Sequence, residues 1–158
     1  MVGGIAASHA PEAPGPREIA GEADALRRRL TVLIDLDVDA YRRVLDARRH
    51  AAETRAAAIR DALVGATEIP LEVATASARL LEHCVALLAP ARPSTRADLG
   101  VAGLLATAAL EAAALTARAN LRALETEAFV ADAGAQLDRL LQHGGALSAR
   151  LRRERNRG

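Results

Sequence analysis

Residues 98–123, DLGVAGLLATAALEAAALTARANLRA, decide the fold of this chain. A helix of this length that is apolar on nearly every side is typical of a protein interior. Its many alanines allow neighbouring helices to approach closely. Its polar side chains, once buried, need hydrogen-bond partners or a ligand; they are Thr107, Glu111, Thr116, Arg118 and Asn120. We therefore predict a central helix over 98–123 whose surroundings hold the functional site.

The rest of the sequence indicates an all-α protein. About a quarter of the chain is alanine, and alanine, leucine and arginine are strong helix formers. No stretch alternates cleanly between apolar and polar residues, which argues against strands. A length of 158 residues suits one domain. We predict residues 17–153 as a single helical bundle, 1–16 as a helix end followed by a proline-rich loop, and 154–158 as a charged tail.

Turn residues divide the bundle into an antiparallel arrangement of about five helices. Pro70 suits the first turn of a helix, and Gly144-Gly145 is a possible break in the last one. An apolar stripe on the last helix, including Phe129 and Leu137, is expected to face the core. The predicted helices are 17–49, 51–66, 70–88, 98–123 and a final helix from about 125.

The composition excludes several kinds of function. All 21 basic residues are arginines, so lysine Schiff-base chemistry and the phosphate-loop lysine are absent. A net charge of +1 does not suggest a nucleic-acid partner. Cys84 stands alone, and neither a zinc spacing nor paired Glu-x-x-His motifs occur, so no metal is expected. Residues 99–117 carry one charge, but their alanines favour a core helix over a membrane span. We expect a cytoplasmic protein.

Asp37 is the strongest candidate for a chemical role. It belongs to the stripe Leu26, Leu30, Leu33, Asp37, Tyr41 and Val44, whose steps of three and four residues keep one helix face. The leucines predict that this face is buried. A carboxylate there needs a partner or a proton, which suits proton transfer. A structural ion pair with an arginine of a neighbouring helix explains the residue equally well.

Four strings follow one another along the chain: LIDLDVDAYRRV (33–44), GATEIPLEVA (65–74), ADLGVAGLLATAAL (97–110) and ANL (119–121). In this order and spacing they resemble the formiminotetrahydrofolate cyclodeaminase and methenyltetrahydrofolate cyclohydrolase family. The resemblance implies a dimerising helical bundle with a folate pocket at or near the dimer interface. It implies either loss of ammonia from 5-formiminotetrahydrofolate with ring closure, or hydration of the methenyl bridge.

The resemblance gives the candidate residues their expected roles. Asp37 is the expected acid, base or electrostatic stabiliser, and Asp98 the expected acceptor for the pterin N–H edge.

Tyr41 is a candidate for stacking on the pterin, and Thr116 and Asn120 are candidates for lining the pocket. Each has a structural alternative: a core ring for Tyr41, a helix cap for Asp98, and a helix contact for Thr116 and Asn120. Glu68 is expected to line the site or cap a helix, and Arg42, in a basic cluster, to hold the anionic folate tail or face solvent.

The chain also departs from the family pattern. It lacks the P-G-G-G-S loop that precedes the first helix of such proteins, and its Met1-Val2 resembles the middle of that helix. Ala97 stands in place of the serine of the S-D string, and Thr116 in place of the first of two asparagines. These departures leave a second hypothesis open, a catalytically inactive helical module that keeps the fold and the dimer.

Overall fold

The computed structural model describes residues 14–124 and 127–155 and shows four α-helices within them. They are α1 (Pro16–Ala47), α2 (Ala52–Leu88), α3 (Pro93–Leu121) and α4 (Glu127–Arg155). The all-α prediction is confirmed. The predicted helix end at 1–8 and the end of the charged tail lie outside the described residues.

The helices form a three-helix core with a fourth helix on its outside. α2, α3 and α4 contact one another, whereas α1 contacts α2 and neither α3 nor α4 in the described part of the chain. The ion pairs Arg29–Glu72 and Glu22–Arg79 show that α1 runs antiparallel to α2. α2 and α4 run parallel, because Gln136 bonds Thr75 and His143 bonds Glu82. α1 therefore depends on a single neighbouring helix for its position.

Each core helix contributes a large leucine that is almost fully buried: Leu81 of α2, Leu110 of α3 and Leu137 of α4. Burial of such a side chain stabilises the fold by about 1.5–3 kcal/mol. The predicted stripe of α4 packs here, with Leu137 and Leu151 buried and Phe129 partly buried against the cluster. This part of the sequence prediction is confirmed.

The prediction of about five helices is wrong, because residues 51–66 and 70–88 belong to one helix. α2 runs from Ala52 to Leu88 with Pro70 buried inside it. A proline in a helix interior removes one hydrogen bond and normally kinks or ends the helix. α2 nevertheless remains a single helix, and it packs against both α3 and α4.

The helix pair α3 and α4 corrects two further predictions. Gly144-Gly145 does not break α4, which continues to Arg155. A Cβ at position 144 would overlap Leu110, and one at Gly103 would meet a Leu151 methyl at 2.7 Å. The glycines therefore allow the two helices to approach closely.

The prediction that α3 is buried on nearly all sides is also wrong. α3 begins at Pro93, in the N1 position that suits proline, five residues before the predicted start. One face of it is buried, while Val101, Leu104, Leu105 and Leu115 are exposed. By length and composition α3 could cross a membrane, with 33% of its most apolar window buried. Core helices of soluble proteins pass the same test.

Candidate functional site

The helical register brings several predicted site residues to one level of the bundle. The Arg29–Glu72 pair places Asp37 of α1 level with Val64 of α2. On the other side of α2, Asn120 of α3 bonds the backbone of Ala66. Glu68 follows within the same turn of α2, so the second and fourth of the sequence strings meet in space beside the first.

Asp37 itself is exposed, which contradicts the prediction of a buried carboxylate. Leu33 and Val44 of the same stripe are buried and Leu30 is partly buried, as expected. Among the four described helices α1 packs only against α2, so the buried sector of α1 is narrow and Asp37 lies at its edge. The described residues include no ion pair of Asp37, so the structural alternative of an arginine pair is not realised either.

Tyr41 is exposed over 63% of its surface and is therefore not a core ring. It lies with Ile34 and Val38 on an apolar strip along the outer side of α1, and no hydrogen bond to Asp37 is formed among the described residues. An exposed tyrosine beside aliphatic side chains is suited to contact with a ligand or another chain.

Asp98 lies at the opposite end of the bundle from Asp37. With Asn120 beside Ala66, the antiparallel register of α2 and α3 places Asp98 level with Leu88. The interval from Val64 to Leu88 along α2 spans roughly 36 Å at 1.5 Å per residue. Asp98 is exposed in the second turn of α3, and Arg92 occupies the N-cap, so the predicted capping role of Asp98 is wrong.

Thr116 and Asn120 are one turn apart but differ in their contacts. The exposed Thr116 bonds through its hydroxyl to Ala112 O of its own helix at 3.2 Å. Asn120 is half-buried, and its Nδ2 donates to Ala66 O of α2 at 3.1 Å. The helix-contact interpretation of Asn120 is thus realised, whereas Thr116 faces away from the core.

The basic cluster at the end of α1 borders an open groove. Arg42 is exposed and its Nη1 donates to Asp39 at 3.1 Å, while Arg49 pairs with Asp46. Arg43 lines the groove, which has a volume of about 410 Å³ and lies between α1 and the first half of α2. Most of its lining surface is apolar, and the ionisable side chains on its walls are Arg43, Asp46, His50 and Asp61.

A five-residue network that the sequence did not reveal joins α1, α2 and α4. Arg79 pairs with Glu22 and Glu82, each at 2.7 Å, and His143 bonds Glu82 at 2.7 Å. His83 is buried, with Nε2 3.2 Å from Glu22 but without hydrogen-bond geometry. Burial, then the Arg79 charge, lowers the pKa of His83 below its usual value. The network spans three helices, so no single-helix pattern could indicate it.

Two comparisons with known proteins bear on this arrangement. The family model described as formiminotransferase-cyclodeaminase matches residues 6–139. A methenyltetrahydrofolate cyclohydrolase from Methylorubrum extorquens is 31% identical over 141 residues, a match that covers 85% of this chain and 68% of that protein. The matched region includes α1, α2, α3 and the first part of α4, and with them all the candidate residues.

Proposed function

Because the chain belongs to the formiminotransferase-cyclodeaminase family, we propose that it acts on a one-carbon derivative of tetrahydrofolate. In the cyclodeaminase reaction, 5-formiminotetrahydrofolate closes to 5,10-methenyltetrahydrofolate and releases ammonia. In the cyclohydrolase reaction, water adds to the methenyl bridge and opens it to the 10-formyl form. The family match over residues 6–139 carries this proposal, supported by the name of the Methylorubrum relative.

The candidate residues supply groups suited to either reaction. Cyclodeamination needs a proton for the departing ammonia and a negative charge near the amidinium-like carbon, and Asp37 is the carboxylate assigned to these tasks. Asp98 and Asn120 orient the pterin through hydrogen bonds, with Thr116 and Glu68 beside it. Tyr41 stacks on the pterin, and Arg42 and its neighbours hold the anionic tail. The substrate is the folate itself, and the proposal includes no metal.

The proposed site requires two copies of the chain. Asp37 and Asp98 lie on α1 and α3, which do not contact each other, at opposite ends of the described bundle. Antiparallel association of two copies would bring Asp37 of one copy toward Asp98 of the other. Exposed apolar side chains on both helices are available for this contact; they are Ile34, Val38 and Tyr41 on α1 and Val101, Leu105 and Leu115 on α3. A homodimer is therefore part of the proposal. A cytoplasmic location is proposed with it.

Spectroscopy tests the proposed activity. Purified protein mixed with 5,10-methenyltetrahydrofolate should remove its near-ultraviolet absorbance, or, supplied with 5-formiminotetrahydrofolate, should generate that absorbance and release ammonia. Asp37→Asn should lower kcat by about a hundredfold or more, as expected for loss of an acid or base. Asp35→Asn, a nearby exposed carboxylate on another side of α1, is the matched control. Absence of turnover with both folates would refute the proposal.

A mixing experiment tests the shared site. Asp37→Asn and Asp98→Asn variants, each strongly impaired alone, should regain activity when their subunits are exchanged, because every heterodimer of the two keeps one intact site. Unfolding and refolding the two proteins together provides the exchange, and each variant refolded alone is the control. Lack of recovery in proven mixed dimers would place Asp37 and Asp98 outside a common site.

The inactive module remains the second candidate function. It is favoured by the exposure of Asp37, Tyr41, Asp98 and Thr116 in the described part of a single chain. Calorimetric titration with a stable folate such as 5-formyltetrahydrofolate separates the two candidates. A dimer without folate binding supports the module, and binding with turnover supports the enzyme.

A further inference from the structure

α2 continues through Pro70 although proline cannot complete the helical hydrogen bonds. In an α-helix the N–H of residue 70 would donate to the carbonyl of residue 66, and the proline ring also crowds that carbonyl. Ala66 O therefore loses its normal donor inside a bundle, where an unpaired carbonyl is costly. The structure replaces the missing donor from another helix.

The replacement donor is the side-chain amide of Asn120. Its Nδ2 lies 3.1 Å from Ala66 O, and this is the bond that links the side chain of Asn120 in α3 to α2. The orientation of the amide follows from chemistry, because only its NH₂ group can donate to a carbonyl. A donor 54 positions away in sequence thus pairs with this backbone carbonyl.

The bond lies where α2 changes from partly buried to buried along its length. The buried residues of this helix begin at Thr67, and before it only partly buried side chains such as Leu63 and Val64 reach the core cluster. We name residues 52–66 of α2 the arm. The second half of α1 packs along the arm and contacts no other part of the bundle within residues 14–124 and 127–155. The Asn120 side chain therefore connects the least buried part of α2 to α3 of the core. It does so where Pro70 removes one backbone hydrogen bond from α2.

We infer that Asn120 locks a proline hinge in α2, and that residues 70 and 120 are energetically coupled through Ala66 O. The inference goes beyond the proposed function, since it needs neither a folate nor a second copy. When the Asn120–Ala66 hydrogen bond is broken, the arm and the half of α1 that carries Asp37 and Tyr41 move relative to α3. The bond accordingly sets the position of these two side chains relative to α3.

A double-mutant cycle tests the coupling. Asn120→Ala should raise the equilibrium constant for unfolding by about tenfold, because Ala66 O is left unpaired. In a Pro70→Ala background the N–H of residue 70 can bond Ala66 O, so the same Asn120→Ala change should raise the constant by less than about threefold. Thr116→Ala, one turn away and bonded within its own helix, should have the same small effect in both backgrounds.

Hydrogen exchange tests the hinge. Asn120→Ala should speed amide exchange in residues 52–66 and in the second half of α1 more than in α4, and Pro70→Ala should reverse this local change. An equal stability loss in both backgrounds, or exchange that rises uniformly over all four helices, would overturn the inference. Where Asn120→Ala folds only together with Pro70→Ala, the coupling is confirmed directly. Where Asn120→Ala folds in neither background, Asn120→Asp, which keeps the side-chain size but has no N–H to donate, is compared in the same two backgrounds.

Discussion

At the scale of single residues, the two adjacent glycines of α4 have different environments. Gly144 is buried against Leu110, whereas Gly145 is exposed and a Cβ there meets nothing within 4 Å. The sequence shows only a Gly-Gly pair and suggests a helix break. The structure instead indicates that one glycine is needed for close packing and the other is replaceable.

Alanine substitutions separate the two glycines. Gly144→Ala should lower the free energy of unfolding by about 1–3 kcal/mol, because the added Cβ would overlap the buried Leu110 side chain, which must then shift. Gly145→Ala should raise it by about 0.5–1 kcal/mol, since alanine is the better helix former. Urea denaturation of both variants is the measurement. Equal effects would show that the packing of Leu110 does not restrict position 144.

The buried His83 predicts a specific loss of stability in acid. Its pKa is lowered in the folded state by burial and by Arg79, with Glu22 and Glu82 acting in the opposite direction. An unfolded histidine has a pKa of about 6.5. A group with a depressed folded pKa binds protons more readily when unfolded. Its stabilisation is therefore complete above pH about 6.5 and declines as the pH falls toward the folded pKa.

Variants of the two histidines check this pH dependence. Between pH 7.5 and 5.0 the urea midpoint of the wild-type protein should fall more steeply than that of His83→Gln, which cannot titrate. His50→Gln changes an exposed histidine and should keep the wild-type slope. Parallel slopes for wild type and His83→Gln would show that His83 does not contribute to the acid response.

At the scale of helices, α1 is expected to be the least stable element of the described bundle. It packs against α2 alone, and its ion pairs Arg29–Glu72 and Glu22–Arg79 are partly exposed. Such pairs contribute only about 0–1 kcal/mol each. We predict that α1 amides exchange hydrogen faster than those of α2, α3 and α4 in the wild-type protein. Equal protection of α1 and α3 would point to a further contact that covers α1.

At the scale of the whole molecule, the exposed apolar faces of α1 and α3 are the main feature. Leu105 and Leu115 of α3 are 67% and 69% exposed, and Ile34 of α1 is 65% exposed. Apolar side chains grouped along one face mark an interaction surface. In the proposed dimer this surface is covered by the second copy.

Leu105→Glu should therefore convert the proposed dimer to a monomer, because a carboxylate would be buried at the contact. Light scattering after size-exclusion chromatography gives the mass. Ala56→Glu, an exposed position of the arm with no role in the proposed contact, is the control and should leave the mass unchanged. A wild-type protein that is already monomeric at micromolar concentration would contradict the dimer.

The sequence by itself determined the helical class, the family and the apolar stripe of α4, because helix propensity, periodicity and motif order are local properties. It placed Pro70 at a helix start and Asp37 on a buried face, and both predictions were wrong. Only the tertiary structure decided these points. Whether a proline ends a helix depends on packing and on a donor such as Asn120 from another helix. Whether a face is buried depends on how many helices cover it, and in the described part of the chain α1 has one neighbouring helix where the sequence pattern implied more.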